Sequence, residues 1–234
     1  MINHFIFGGR SSVEFGITIS GEATYNTPLR RSSSITVPGR SGNFIIDEGA
    51  FDNVEIKYPA LIKSDMPDRW AEFINFAAAL PGYQRLEDTY SPLTYRMAQL
   101  NTAVTMQTVE YGNRAGMFDL VFNCKPQRWI KSGEMPIEYT QTGTIYNRTQ
   151  YDAAPLLTVY GTGTVTIGGT DITITAVDQY VTIDCETMDA YKGSQNKNST
   201  VSFSTDRVGI HPGESQVGLT GVTKVIVVPR WYII

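Results

Sequence analysis

Residues 156–185 read LLTVYGTGTVTIGGTDITITAVDQYVTIDC, and this stretch decides the fold class of the second half of the chain. Apolar and polar residues alternate in short runs, among them 164–167 and 172–175, as they do in strands with one buried face. The Gly-Gly-Thr-Asp segment at 168–171 separates those two runs and predicts a hairpin.

Further short strands are predicted on both sides of this stretch, and no segment of the second half has a helical period. Threonine fills many polar positions, since 17 of the 26 threonines lie from Thr140 onward. A β-branched, uncharged residue suits the exposed face of a strand. We therefore expect a jelly-roll β-sandwich over residues 131–234, after a Pro- and Gly-containing linker near 127–136.

The first half, residues 1–130, is expected to be an α+β domain. Strand-like runs at 15–19, 34–37 and 54–58 predict a mostly antiparallel sheet. One helix is predicted at about 67–80, where apolar residues recur at helical spacing and a Pro-Gly pair follows. Its apolar stripe should lie on the sheet, because a sheet buries one face against another element.

That helix has identifiable start signals and apolar positions. Ser64 or Asp65 is expected to accept a hydrogen bond from the first turn, and Pro67 suits the first helical position. The predicted stripe consists of Trp70, Phe73, Ile74 and Ala77.

Composition excludes several classes of function. The 234 residues are 41% hydrophobic and only 18% charged, with a net charge of −4. Such a chain is not a disordered acidic tail, nor a basic protein that neutralises many phosphates. It has no apolar run of the ~20 residues that a membrane span needs, and no secretory signal, so we expect folding in a cytoplasm.

No catalytic, metal or cofactor site is predicted. The two histidines, His4 and His211, have no local partners in metal-ligand spacing, and Cys124 and Cys185 are expected to be buried thiols, with a disulfide as the minor alternative. P-loop, nucleophile-elbow and zinc-protease motifs do not occur.

Two polar features leave functional alternatives open. Asp184 and Glu186 lie on one face of a predicted strand, where a glycosidase would place carboxylates, although solvated acids are the commoner explanation. Arg30 and Arg31 with Arg40 form the most basic local patch, which is either a solvated loop or a hairpin that docks an acidic partner.

Several short motifs, taken in order, resemble the distal tail protein (Dit) family of long-tailed bacteriophages, the siphoviruses. In the first half they are residues 5–9, the VPGRSGNF turn at 37–44, the helix with its Pro-Gly stop, and FNCKPQ at 122–127. In the second half they are residues 147–157, the Gly168-Gly169 hairpin, and the late Pro-Gly-Glu turn.

The resemblance implies a fold and a structural role without catalysis. The implied fold is mainly β: an N-terminal domain with an antiparallel sheet or split barrel and one packed helix, then a galectin-like jelly-roll sandwich. The implied assembly is a homohexameric ring at the tail tip or baseplate of the virion, joining the tail-tube protein to the tail-tip or tail-associated protein. DNA would pass through its channel without sequence-specific binding, and the outer domains would dock receptor-binding or other baseplate proteins.

The loop at 29–43 is the predicted interface with a neighbouring subunit or the tail tube, because it is long, bears arginines and has few core residues. Two other functions stay open at this stage, a carbohydrate-binding tail adhesin and a tail-tube subunit. The candidate interface residues are Leu29, Arg30, Arg31, Val37, Arg40 and Asn43.

Overall fold

A computed structural model describes residues 2–20, 26–100, 107–108 and 114–234 of the chain. The chain divides into two compact units, Met1–Arg128 with Ile234, and Trp129–Ile233. Each unit has its own hydrophobic core.

The N-terminal unit is built on an antiparallel sheet with the strand order β2-β1-β7-β8-β10-β6-β3, which curls into a half-barrel. Alternation along the strands sends one face to the core, where the rings of Phe5, Phe7, Tyr58 and Phe122 are buried and contact one another. A separate two-stranded sheet, β4 with β5, pairs with no other described strand. The strands are β1 (Phe5–Phe7), β2 (Arg10–Ser11), β3 (Ile17–Ile19), β4 (Arg30–Thr36), β5 (Asn43–Phe51), β6 (Val54–Ile62), β7 (Gln84–Asp88), β8 (Thr94–Leu100), β9 (Gln107–Thr108) and β10 (Gly116–Cys124).

Helix α1 (Met66–Ala79) packs on this core through Phe73 and Ala77, with Trp70 and Ile74 partly buried beside them. The predicted stripe is therefore confirmed. The predicted side-chain cap is wrong: neither Ser64 nor Asp65 caps the helix. Asp65 instead adopts a left-handed conformation (φ 53°) and makes no capping hydrogen bond. The helix starts at Met66, one residue earlier than the pattern indicated, so Pro67 is its second residue rather than its first.

The C-terminal unit is an antiparallel sandwich of two sheets, ordered β12-β22-β14-β17-β18-β19 and β13-β21-β15-β16-β20. Their inward residues are mostly Val and Ile, which suit a pleated, closely packed face. The strands of these two sheets are β12 (Ile137–Tyr139), β13 (Gly143–Asn147), β14 (Leu156–Tyr160), β15 (Gly163–Ile167), β16 (Thr170–Ile174), β17 (Val181–Asp184), β18 (Asp189–Lys192), β19 (Gln195–Asn196), β20 (Val201–Phe203), β21 (Gly213–Thr220) and β22 (Lys224–Val228). Strands β11 (Arg128–Ile130) and β23 (Tyr232–Ile233) pair with each other and belong to neither sandwich sheet.

The hairpin predicted around Gly168 is present, with a shorter loop than the pattern indicated. Ile167 pairs directly with Thr170, so Gly168 and Gly169 alone form the turn. Both have positive φ, 56° and 86°, as a type I′ turn requires. A mainly β chain, with an α+β N-terminal unit followed by a β-sandwich, confirms the predicted fold class. Short 3₁₀ helices lie at Ser12–Phe15, Lys131–Glu134 and Asn198–Thr200.

Candidate interaction surface

The β4–β5 hairpin contains all six predicted interface residues or borders them, and its backbone geometry follows from its turn residues. The N–H of Arg40 donates to the carbonyl of Val37 at 3.2 Å, which closes a four-residue turn. Pro38 occupies the second position and Gly39, at φ 80°, the third, as in a type II turn. Thr36 then pairs with Asn43 as the first rung of the two-stranded sheet.

One face of the hairpin is apolar and exposed. Ile35 lies opposite Phe44, and Ser33 opposite Ile46, so these four side chains project from the same face. Ile35, Phe44 and Ile46 are 48%, 50% and 44% exposed, and we call these three residues the hairpin patch. Large apolar side chains gathered on an exposed strand pair are typical of an interaction surface.

The other face carries a further exposed apolar residue. Ile45 is 67% exposed and pairs with Ser34. The next residue pair on this face is Thr36 with Asn43. The Thr36 hydroxyl donates to Oδ1 of Asn43 at 3.3 Å, which links the strands beside the turn. Apolar groups therefore lie on both faces of a strand pair that has no core of its own.

Ion pairs stabilise the base of the hairpin. Arg30 pairs with Asp47 across the strands, and Nε of Arg31 lies 2.6 Å from Oδ1 of Asp52. The hydrogen bond from Arg30 lowers the pKa of Asp47, and the hydrogen bond to Asp52 raises the pKa of Arg31. The two arginines are thus already partnered within the hairpin, which weakens the interpretation that they dock an acidic partner.

The predicted interface residues lie along one projection rather than in separate places. Leu29 precedes β4 and is exposed, Val37 and Arg40 lie in the turn, and Asn43 begins β5. Sequence reasoning missed the hairpin patch and Ile45. The signal was present in the Phe44-Ile45-Ile46 run, which does not alternate and follows a turn typical of a projecting hairpin.

The acidic pair considered for glycosidase chemistry has a structural role at Asp184. Its carboxylate accepts two hydrogen bonds from Arg230, at 2.7 and 2.9 Å, and one from the N–H of Glu186. Partial burial raises the pKa of Asp184, but these hydrogen bonds outweigh it and hold the pKa below its ordinary value. A carboxylate held ionised in this way is unsuited to donate a proton.

The cysteines and histidines also have local explanations. Cys124 and Cys185 are free, buried thiols, and burial raises the pKa of each to about 12. Nδ1 of His211 lies 3.0 Å from the Asp152 carboxylate on an exposed surface, and Nδ1 of His4 lies 3.1 Å from a backbone carbonyl. Within the described residues, no group of three or more His, Cys, Asp or Glu could hold a metal ion.

The helices of the described residues include none long and apolar enough to cross a membrane. No family model matches the sequence, and no curated protein matches it either. Comparison with solved structures, in contrast, finds a likeness along the whole chain.

The fold is similar to that of a bacteriophage hub protein of known structure. One matching structure is the Dit protein of phage SPP1, described as a paradigm of hub adsorption apparatus in Gram-positive infecting phages. The match has a TM-score of 0.73 at 10% sequence identity and covers 100% of each chain. The resemblance predicted from the short motifs is confirmed at the level of the fold.

Proposed function

We propose that this chain is a distal tail protein: six copies form a ring that joins the tail tube to the tail tip and gives baseplate proteins a docking platform. The ring would belong to the virion, after folding and assembly in the host cytoplasm. The role is structural and involves no reaction. DNA would pass through the channel without sequence-specific contacts, in keeping with a net charge of −4.

The observation that carries the proposal is the exposed β4–β5 hairpin in a chain whose fold matches that of a phage hub protein along its length. An isolated two-stranded hairpin is marginally stable in water. This hairpin also exposes Ile45 and the three residues of the hairpin patch. Because each is already partly buried, full burial would contribute on the order of 1 kcal/mol for each side chain. A neighbouring subunit or the tail tube, packed against the hairpin, would supply that burial.

We assign the ring contacts to the N-terminal unit, proposed as residues 1–130, and the docking of baseplate proteins to the sandwich, proposed as residues 131–234. Leu29 and Val37 extend the apolar surface at the two ends of β4. The guanidinium of Arg40 makes no hydrogen bond or ion pair with the described residues, which suits a contact made only in the assembly.

Light scattering and negative-stain imaging of the purified protein test the proposed assembly. Six chains of 25.9 kDa predict a particle of about 155 kDa with six-fold symmetry and a central hole. A protein that stays monomeric at every concentration would contradict the ring. Binding of that monomer to a glycan array would then favour the carbohydrate-binding adhesin.

Substitutions in the hairpin test where the contacts lie. The triple variant Ile35→Ser, Phe44→Ser, Ile46→Ser should form no ring, because it removes the hairpin patch while leaving the ion pairs in place. Tyr146→Ser is the matched control, since Tyr146 is an exposed aromatic residue of the sandwich. Rings that persist in the triple variant, with unchanged mass, would place the contacts elsewhere.

A further inference from the structure

A small pocket in the N-terminal unit lies apart from the hairpin and brings two arginines together. It has a volume of about 40 Å³, and its lining includes Tyr58, Asp88, Ser91, Arg96 and Arg128. A cavity needs roughly 10–15 Å³ of this kind of volume to hold one water molecule, so the pocket has room for a group of several atoms.

The only carboxylate among these lining residues is already engaged. Oδ2 of Asp88 accepts a hydrogen bond from the Tyr58 hydroxyl at 2.6 Å, and Oδ1 accepts one from the N–H of Ser91 at 2.8 Å. Asp88 forms no ion pair with either pocket arginine. The two arginines and this one carboxylate leave a formal charge of +1 in the pocket.

The arginines are poorly satisfied by the described residues around them. Nε of Arg128 is buried and has no hydrogen-bond acceptor there. Arg96 donates only through Nη1, to the carbonyls of Pro126 and Lys125 at 3.3 and 3.5 Å, which are long for a guanidinium. Burial lowers the pKa of Arg96, and the positive charge of Arg128 lowers it further, although a guanidinium stays protonated in proteins.

A buried donor without an acceptor and two neighbouring positive charges both carry a free-energy cost that a bound anion removes. A carboxylate fits on three grounds: it has only three heavy atoms, it carries one negative charge against the pocket's +1, and its two oxygens match guanidinium N–H groups. We propose that this pocket binds a carboxylate group between Arg96 and Arg128. The carboxylate comes either from a free small acid or from an acidic side chain.

Thermal unfolding of the full-length protein, in sodium acetate against sodium chloride at equal ionic strength and pH 7, tests the site. Acetate should raise the Tm of the wild type by several degrees over chloride, since a ligand that binds only the folded state stabilises it. Arg128→Gln should lose that difference. Arg148→Gln should keep it, because Arg148 is an exposed arginine outside the pocket.

Asp88→Asn provides an independent arm should Arg128→Gln fail to fold. The asparagine keeps one oxygen to accept from the Ser91 N–H, and its NH2 group can donate to the Tyr58 hydroxyl oxygen. The change raises the pocket charge to +2, so the response of the variant to acetate should exceed that of the wild type. A wild type that responds equally to acetate and chloride, an Arg128→Gln variant that keeps the full response, or an Asp88→Asn response no larger than that of the wild type would each overturn the proposal.

Two further ligands distinguish the source and the chemistry of the anion. A capped glutamate, N-acetyl-glutamic acid α-amide, presents the side-chain carboxylate of a protein segment. An Arg128-dependent response to it that exceeds the response to acetate supports an acidic side chain as the occupant. A response confined to acetate supports a free small acid, whereas an Arg128-dependent response to inorganic phosphate alone contradicts the carboxylate assignment.

Discussion

Two hairpins of this chain both turn through glycines with positive φ, but their surroundings are opposite. The β15–β16 hairpin turns through Gly168 and Gly169, alternates buried Val and Ile with outward Thr and Asp, and is flanked by β21 and β20. The β4–β5 hairpin turns through Gly39 and Gly42, has apolar residues on both faces and pairs only with itself. In the first hairpin, the strand edges are paired and the apolar side chains are buried within the same chain. In the second, the outer strand edges pair with no other described strand, and the apolar side chains are exposed.

The largest expected difference comes from removing an isoleucine from each hairpin. Ile172 is fully buried in the sandwich core, so Ile172→Ala should lower the free energy of unfolding by about 2–5 kcal/mol. Ile45→Ala should change it by less than about 0.5 kcal/mol when measured on the unassembled chain, because Ile45 is exposed. Urea denaturation of both variants checks the contrast, and comparable losses would mean that the β4–β5 hairpin is packed in the monomer.

The turn glycines should give a smaller contrast. A Cβ on Gly168 would lie 2.3 Å from the carbonyl oxygen of Gly209, at φ 56°, whereas a Cβ on Gly39 meets nothing within 4 Å. Gly168→Ala should therefore lower the free energy of unfolding by about 1–3 kcal/mol more than Gly39→Ala, in which the only strain comes from the positive φ. Melting temperatures measured side by side test this, and a Gly39→Ala loss equal to that of Gly168→Ala would contradict it.

The smallest expected effect is a pH dependence of the sandwich. The pKa of folded Asp184 lies below its unfolded value, so its ion pair with Arg230 stabilises the protein above the unfolded pKa and loses this effect as pH falls through the folded pKa. Asp184→Asn should lower the free energy of unfolding by about 1 kcal/mol at pH 7, and by progressively less as the pH is lowered.

Asp47→Asn is the matched control for that measurement. Its ion pair with Arg30 is exposed to solvent, so the variant should lose little stability at any pH. A loss for Asp184→Asn that does not diminish toward acid would show that the Asp184 carboxylate is not the group that titrates.

The sandwich strands were predicted from the sequence because each of them buries every second residue in the core of its own unit. Local periodicity is enough to detect this pattern, as at Val165, Ile167 and Ile172. The helix stripe was predicted for the same reason. The cap was not, because the left-handed backbone at Asp65 depends on how the chain enters the helix rather than on the residue type.

The exposed apolar residues of the β4–β5 hairpin were predicted only in part, and the reason is physical. The turn residues 37–42 indicated a projecting loop, and the arginines drew attention to Arg30 and Arg31. Whether Phe44 and Ile46 face a core or solvent depends on which strands lie beside β5, and periodicity within one strand does not carry that information. The arginine pocket was missed for a similar reason, since Arg96 and Arg128 are brought together only by the fold.

The most direct test of the central claim is a cryo-electron microscopy reconstruction of the purified, assembled protein that resolves the β4–β5 hairpin. Our account predicts a six-fold ring in which a neighbouring chain covers Ile35, Phe44 and Ile46. If these three side chains instead lie exposed on the face of the ring that meets the tail tube, the tube would be their partner. A ring in which they face neither the neighbour nor the tube, or the absence of any ring, would contradict the account.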